Sequence, residues 1–182
     1  MNNSMTAQHI IDFWFKQITP AQWWQKDDEF DKAIIRQFGS LLAQAEAGEL
    51  AHWRESVIGR LAEVIVLDQF SRNAYRDTPK AFANDSMALT LAQYAVAQDD
   101  LMALSNEQAP FLIMPYMHSE SALIHEQAVP LFEKYAKGNL DFELKHKVII
   151  DEFGRYPHRN QILGRESSAA EISFLTQPGS SF

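Results

Sequence analysis

Cysteine is absent from the 182 residues, which excludes disulfide scaffolds, cysteine-ligated zinc, iron–sulfur clusters and thiol nucleophiles. Glycine and proline occur seven times each, too rarely for collagen-like or low-complexity architectures. Positive charge is scarce: 16 Lys and Arg face 24 Asp and Glu, for a formal net charge of −8. A generic nucleic-acid binder carries the opposite sign, so no nucleic-acid partner is expected. Long apolar runs are missing too. Residues 64–67 stop at Asp68 and residues 110–117 are interrupted by Pro115, both far short of the ~20 residues that span a bilayer. The N-terminal apolar run contains Asp12 and has no Lys or Arg before Lys16, unlike a signal peptide. The expectation is a cytoplasmic protein that does not engage a membrane.

Hydrophobic residues make up 46% and charged residues 22%, an ordinary globular balance. The length suits one all-helical domain over residues 1–182, with a loose tail from about 177 to 182 apart from Phe182. The apolar spacing is helical almost throughout. Residues 6–16 put Ile10, Phe13 and Trp14 on one side. Thr19-Pro20 reads as a cap followed by proline at the first helical position. Residues 28–47 carry Phe30, Ile34, Phe38, Leu41, Leu42 and Ala45 at spacings of three and four, and Gly48 stops them. A strongly apolar helix is predicted over residues 56–72, a turn after Thr78-Pro79, and a helix from the cap Asp85 to about Gln98. One long helix, kinked at Pro130, is predicted from Pro110 to about Ala136. Residues 139–153 end at Gly154, and Ser168-Ala-Ala-Glu171 is a capping box that opens a last helix. Alternating β-branched runs with hairpin turns are absent, so the class is all-α. Trp23, Trp24 and Trp53 read as core or interhelical fillers.

The chain resembles itself. Ile34-Ile-Arg-Gln-Phe-Gly39, Val66-Leu-Asp-Gln-Phe-Ser71 and Ile149-Ile-Asp-Glu-Phe-Gly154 align, and the first offset of 32 is close to the ~34-residue period of tetratricopeptide hairpins. The second and third copies each carry Asp…Arg at i, i+4: Asp68 with Arg72, and Asp151 with Arg155. At ~100° per residue each pair shares a face with apolar residues, Leu61 and Ile65 in one copy, Leu144 and Val148 in the other. Helices apolar on two sides are expected between neighbours. Charges there should be paired, either as a structural lock or as the wall of a pocket.

Five of the eight arginines fall in two short stretches, Arg72 and Arg76 in one, Arg155, Arg159 and Arg165 in the other. The planar guanidinium fork suits carboxylate and phosphate recognition. Asn73 accompanies the first stretch, His158 and Asn160 the second. A third polar cluster is His118-Ser119-Glu120, with His125 seven residues on and therefore on the same face of a continuous helix. His118 and His158 are suited to proton transfer near neutral pH, with Glu120 to orient a ring or act as base. The bland alternative is a helix-end histidine capped by Glu120. No metal or cofactor is expected: His-Glu-x-x-His is absent, and Glu143-x-x-His146 is one motif where a di-iron bundle needs two. Phosphate-binding glycine loops and a nucleophile elbow are absent as well.

Leu67-Asp-Gln-Phe-Ser-Arg-Asn73, Thr78-Pro-Lys-Ala-Phe-Ala83, Met117-His-Ser-Glu120 and Phe153-Gly-Arg-Tyr-Pro-His-Arg-Asn-Gln-Ile-Leu-Gly-Arg-Glu166 together resemble the bacterial domain-of-unknown-function family 924. The resemblance covers essentially the whole chain. It implies a tetratricopeptide-like helical architecture and carries no catalytic assignment. Ser71 stands where the family usually has proline, and Tyr156 where it usually has phenylalanine.

Two functional readings follow. In the first, Asp68, Arg72, Asn73, Arg76, Asp151, Arg155, Arg159, Asn160 and Arg165 build a pocket for a small anionic ligand, with His118, Glu120 and His158 for hydrolytic or acid–base chemistry. In the alternative, a tetratricopeptide-like module uses its basic residues to hold an acidic peptide or protein partner. A third outcome is that the Asp…Arg pairs serve folding only.

Overall fold

The computed structural model describes residues 5–181, and the expectation for Phe182 lies outside them. The described residues are helical, with no strand among them. None of these helices is long and apolar enough to cross a membrane.

Helix α1, Ala7–Asp12, starts at Thr6, whose hydroxyl caps His9 N–H, and runs on as a π-helical stretch, Phe13–Gln17. Helix α2, Pro20–Trp24, has the capping box of Thr19 and Gln22 and proline in its first turn. Helix α3, Asp28–Glu46, is capped by Asp27 and buries Phe30, Ile34, Phe38, Leu41, Leu42 and Ala45, the spacing read from the sequence.

Helix α4, Val57–Ile65, passes through a second π-helical stretch, Val66–Phe70, into the short α5, Ser71–Ala74. A π turn inserts a residue into the helical ladder and re-aims the side chains it carries. Residues 61–71 are buried on every side. Gly59 is obligatory here, because a Cβ would lie 1.8 Å from the Trp53 carbonyl oxygen. Around this rod, Phe13, Phe38 and Phe70 form an aromatic cluster with centroids 4.7–6.2 Å apart. Each such ring removed from water stabilises the fold by about 1.5–3 kcal/mol.

Helices α6 (Asp85–Ala97), α7 (Ala109–Met117), α8 (Ala122–Tyr135) and α9 (Leu140–Phe153) follow, each packing on the next. The cap of helix α6 is Asn84, and Asp85, the cap expected, is the first residue of the helix. The single helix expected over residues 110–136 is two: the backbone closes tight turns from His118 to Met114 and from Ser119 to Tyr116, then restarts at Ser121. Gly154, at φ +68°, ends α9 in the left-handed region that favours glycine. Helix α10, Ala169–Leu175, has the reciprocal Ser168–Glu171 capping box that the sequence spells. Beyond it, Ser180 Oγ donates to the Leu175 carbonyl.

Two sequence expectations about faces are corrected. Leu144 and Val148 are 41% and 62% exposed, so α9 is not sandwiched on its second side. Trp53 is buried and Trp23 donates its Nε1–H to the Trp14 carbonyl, but Trp24 is largely exposed, stacked over Phe111.

Candidate functional site

The end of α7 is where three parts of the chain meet. A helix leaves its last carbonyls without intrahelical partners. Here the carbonyls of Met117, His118 and Ser119 are each met by a side chain from elsewhere. Tyr156 Oη donates to Met117 O at 2.5 Å, Arg159 Nη2 to His118 O at 3.1 Å, and His125 Nε2 to Ser119 O at 2.9 Å. His125 is fully buried in α8, and its Nδ1 lies 2.7 Å from Glu143 of α9. Burial pushes the Glu143 carboxyl upward despite His125. The break in the helix therefore separates the two histidines by function: His125 holds the turn and His118 faces outward from it.

His118 Nδ1 is 2.7 Å from Asp68 Oδ1, a carboxylate delivered by the π turn of the central rod and 1% exposed. Burial opposes that charge, yet Arg72 and His118 outweigh it and hold Asp68 well below the usual carboxylate range. Gln69 Nε2 and Arg72 Nη1 also lie on Asp68, at 2.6 and 3.0 Å. An ionised carboxylate only accepts, so Nδ1 carries the ring proton and Nε2 carries the lone pair. Burial, then Arg72, lower the His118 pKa, with Asp68 pulling the other way, so the ring is neutral at neutral pH.

His118 lines a cavity of about 290 Å³, near the small end of the ~300–1,000 Å³ range of ligand pockets. Its other walls are Asp85, Ser86 and Leu89 from the first turns of α6, Pro79, Phe82 and Ala83 from the preceding turn, Pro115, Ser119, Glu120, Arg159 and Leu163. Asp85 receives both Arg72 Nη2 at 3.1 Å and Arg159 Nη1 at 3.2 Å. The Arg159 guanidinium sits 4.5 Å from the Phe82 ring and 4.6 Å from the Tyr156 ring, a cation held between two π faces. Burial, then Arg72, lower its pKa.

The remaining predicted residues divide. Glu120 lines the cavity, but its oxygens are taken by both Arg165 Nη atoms, at 2.7 and 2.9 Å, and by Tyr156 N–H at 2.7 Å. Burial raises its pKa less than these partners lower it, so it is a fixed anion and a poor base. Arg165 Nε also donates to Asn160 Oδ1, whose amide reaches Ser167. These residues frame the loop after Tyr156. His158 lies against Tyr156 at 5.5 Å outside the cavity wall, and burial followed by Arg159 lowers its pKa to about 4.

Four predicted residues stand elsewhere. Asn73 and Arg76 both turn to Asp31 of α3, where Asn73 Nδ2 and Arg76 Nη2 donate at 2.8 and 2.9 Å. Asp151 is exposed and pairs with Lys147, not with Arg155. Arg155 reaches forward to Glu171, at 2.6 and 2.8 Å, and to the Glu166 carbonyl, fastening α10. The i, i+4 pairing expected of Asp151 and Arg155 is thus replaced, because Arg155 follows Gly154 and no longer lies on the helix.

Sequence reasoning missed Asp85 as a lining residue of the cavity, reading it only as a helix cap. The two arginines on it come from 13 and 74 residues away, and no local pattern announces that convergence. Phe82 and Tyr156, the two faces around Arg159, lie 77 and 3 residues from it in sequence and carry no local signal of that role.

The second hollow, about 380 Å³ between α1, α3 and the turn at Trp53, contains none of the predicted residues. Among the described residues, no group of three His, Asp or Glu has the arrangement of a metal site.

A search of curated proteins finds no match. A solved structure of a protein of unknown function from Agrobacterium tumefaciens is similar, with 34% identity, 93% of this chain and 96% of that chain covered, and a TM-score of 0.88. The family model described as "Bacterial protein of unknown function" matches residues 10–179. The chain therefore belongs to the bacterial protein family DUF924.

Proposed function

We propose that the cavity at the end of α7 is a small-molecule site for a ligand with an anionic group, with His118 as the general base of a hydrolytic or acid–base reaction. The observation that supports this best is the 2.7 Å His118–Asp68 contact in the wall of the cavity. It fixes the tautomer and leaves Nε2 for the ligand, while burial and Arg72 keep the ring neutral against the pull of Asp68, the state a base requires. Arg159, in the cavity wall, supplies the cationic side, with Arg72 behind it on Asp68 and Asp85. Asp85 and Asp68 hold those two guanidiniums in place, and Glu120 with Arg165 shapes the rim.

The alternative, a basic surface that holds an acidic peptide, has less support. Arg76, Arg155 and Arg165 are each taken by a carboxylate of the same chain. The succession of α6 to α9, each packed on the next, is consistent with a tetratricopeptide-like array.

The test is thermal unfolding of the full chain with a panel of small anions, phosphate, citrate and benzoate among them. At least one should raise the melting temperature in proportion to RT ln(1 + [L]/Kd). Arg159→Gln should remove the shift and Arg155→Ala should keep it. No shift with any anion, or equal shifts in both variants, overturns the reading.

A further inference from the structure

Tyr156 and His125 hold the α7–α8 turn from inside the bundle, and their hydrogen bonds fix where the protons are. Ser119 O is a backbone carbonyl and only accepts, so His125 Nε2, 2.9 Å away, carries a hydrogen. Tyr156 Oη, 3.1 Å from the same nitrogen, gives its own hydrogen to Met117 O and turns a lone pair to the ring. The second ring nitrogen, Nδ1, is 2.7 Å from Glu143 Oε1, and both side chains are fully buried. A hydrogen bond there needs one proton. It sits on the ring, giving imidazolium and carboxylate, or on the carboxyl, giving two neutral groups. Either way the pair titrates as a unit and has no net charge.

The other carboxyl oxygen decides between them. Glu143 Oε2 is buried and has no hydrogen-bond partner. A carboxylate spreads its charge over both oxygens, and an unpaired charged acceptor in a dry setting costs far more than the bare carbonyl oxygen of a neutral acid. The titratable groups around the pair do not offset that cost. From α9, His146 is neutral, its pKa lowered by burial to about 3, and Lys147 is turned to Asp151. From the loop, burial pushes the Tyr156 phenol upward and lowers His158 to about 4, and Arg159 is turned to Asp85. From the end of α7, His118 gives Nδ1–H to Asp68, and on α8 itself Glu126 is exposed. Burial raises the Glu143 carboxyl despite His125 and Lys147.

We infer that Glu143 is a neutral carboxylic acid at neutral pH, donating to His125 Nδ1, and that this buried proton locks the α7–α8 turn. Its loss sets a carboxylate against the Nδ1 lone pair, acceptor against acceptor. Moving the ring hydrogen from Nε2 to Nδ1 only transfers the clash to Ser119 O. The turn carries His118, Ser119 and Glu120, so alkali loosens one wall of the cavity. Nothing in the lock requires a ligand there. Above about pH 6.5 an unfolded histidine is neutral and an unfolded glutamate ionised, while the folded pair keeps one proton. Stability therefore falls as pH rises, by about tenfold in the unfolding constant per pH unit until that proton leaves.

Urea unfolding of the full chain between pH 7 and 8 measures the slope, with Glu143→Gln beside the wild type. A glutamine amide donates to Nδ1 as the acid does and cannot ionise, so the variant should keep the turn and lose the decline. An infrared difference spectrum, wild type minus Glu143→Gln at pH 7, should show a carboxylic-acid carbonyl band. Glu143→Ala should speed amide exchange at His118 and Ser119, whose N–H groups close the tight turns, about tenfold or more, and Glu143→Gln should restore it. Should neither variant fold, imidazole nitrogen resonances of the wild type still decide: His125 should be a neutral ring with its hydrogen on Nε2. An imidazolium at His125, a slope that Glu143→Gln leaves unchanged, no acid band, or turn amides indifferent to Glu143→Ala overturns the inference.

Discussion

The segments around Asp68 and Arg72 and around Asp151 and Arg155 carry the same residues at the same spacing and end in different surroundings. The first lies on a rod buried on all sides, where Asp68 is 1% exposed and holds Arg72, Gln69 and His118. The second lies where α9 ends: Asp151 faces water and Lys147, while Arg155 has left the helix and grips Glu171. A carboxylate in the first place cannot be hydrated, so it must gather donors. In the second place water does that work, and the arginine is released to fasten a different element. Among the described residues, seven of the eight arginines pair with an Asp or Glu. Arginine clustering is therefore mostly a sign of internal clamps, and of the acids they hold, Asp85, shared by two arginines, and Glu120, held by Arg165, line a cavity.

The sharpest way to break this contrast is to remove the acid from the buried copy. Asp68→Ala strands Arg72 and His118 without their common partner in a dry setting, and should cost about 3–5 kcal/mol. Urea unfolding monitored by circular dichroism measures it. A cost below about 1 kcal/mol would show that the rod tolerates the unpaired cations and that Asp68 is no lock. A smaller effect separates the same region by pH. His158 has a folded pKa of about 4 against 6.5 unfolded, because burial and Arg159 disfavour its charged form. Between these values the unfolded chain binds a proton that the folded chain does not. Stability is then complete above about pH 6.5 and declines as pH falls toward 4, by up to about 1.4 kcal/mol per pH unit for this one group. His158→Gln should flatten the stability–pH curve by that slope between pH 6 and 5. An unchanged slope would place the acid sensitivity elsewhere.

Much of the fold is legible because its signals are local. Gly154, the Pro20 start and the Ser168–Glu171 box each act within one turn, and each ends or opens a helix where the sequence says. The apolar spacing of α3 names its buried face residue by residue. The break at His118–Ser121 was not legible, since no glycine marks it. It is held by Tyr156, Arg159 and His125, all donors from other elements. The π turns at Phe13–Gln17 and Val66–Phe70 also escaped, because a 3.6-residue pattern has no term for one inserted residue. The site shows the same division. His118, Asp68, Arg72 and Arg159 were named from residue type, yet Asp85 joins them only through contacts across 13 and 74 residues of chain.

Asp151 gives the complementary measurement, with the smallest effect. Its carboxylate is exposed, and its partner Lys147 lies one turn away on the same helix at 2.6 Å. A pair of this kind is worth about 0.3–0.5 kcal/mol at low salt and less as ions screen it. Asp151→Ala should therefore change unfolding free energy by no more than about 0.5 kcal/mol, and part of that by helix propensity, since alanine is the better helix former. Ligand shifts at the α7 cavity should be unaffected. If Asp151→Ala cost as much as Asp68→Ala, the equivalence suggested by the repeat would be real in energy, and burial would not be what distinguishes the two copies. If instead Arg155→Ala loosened α10, seen as faster amide exchange over Ala169–Leu175, while Asp151→Ala left that exchange unchanged, the two residues would be shown to act on separate elements despite their spacing.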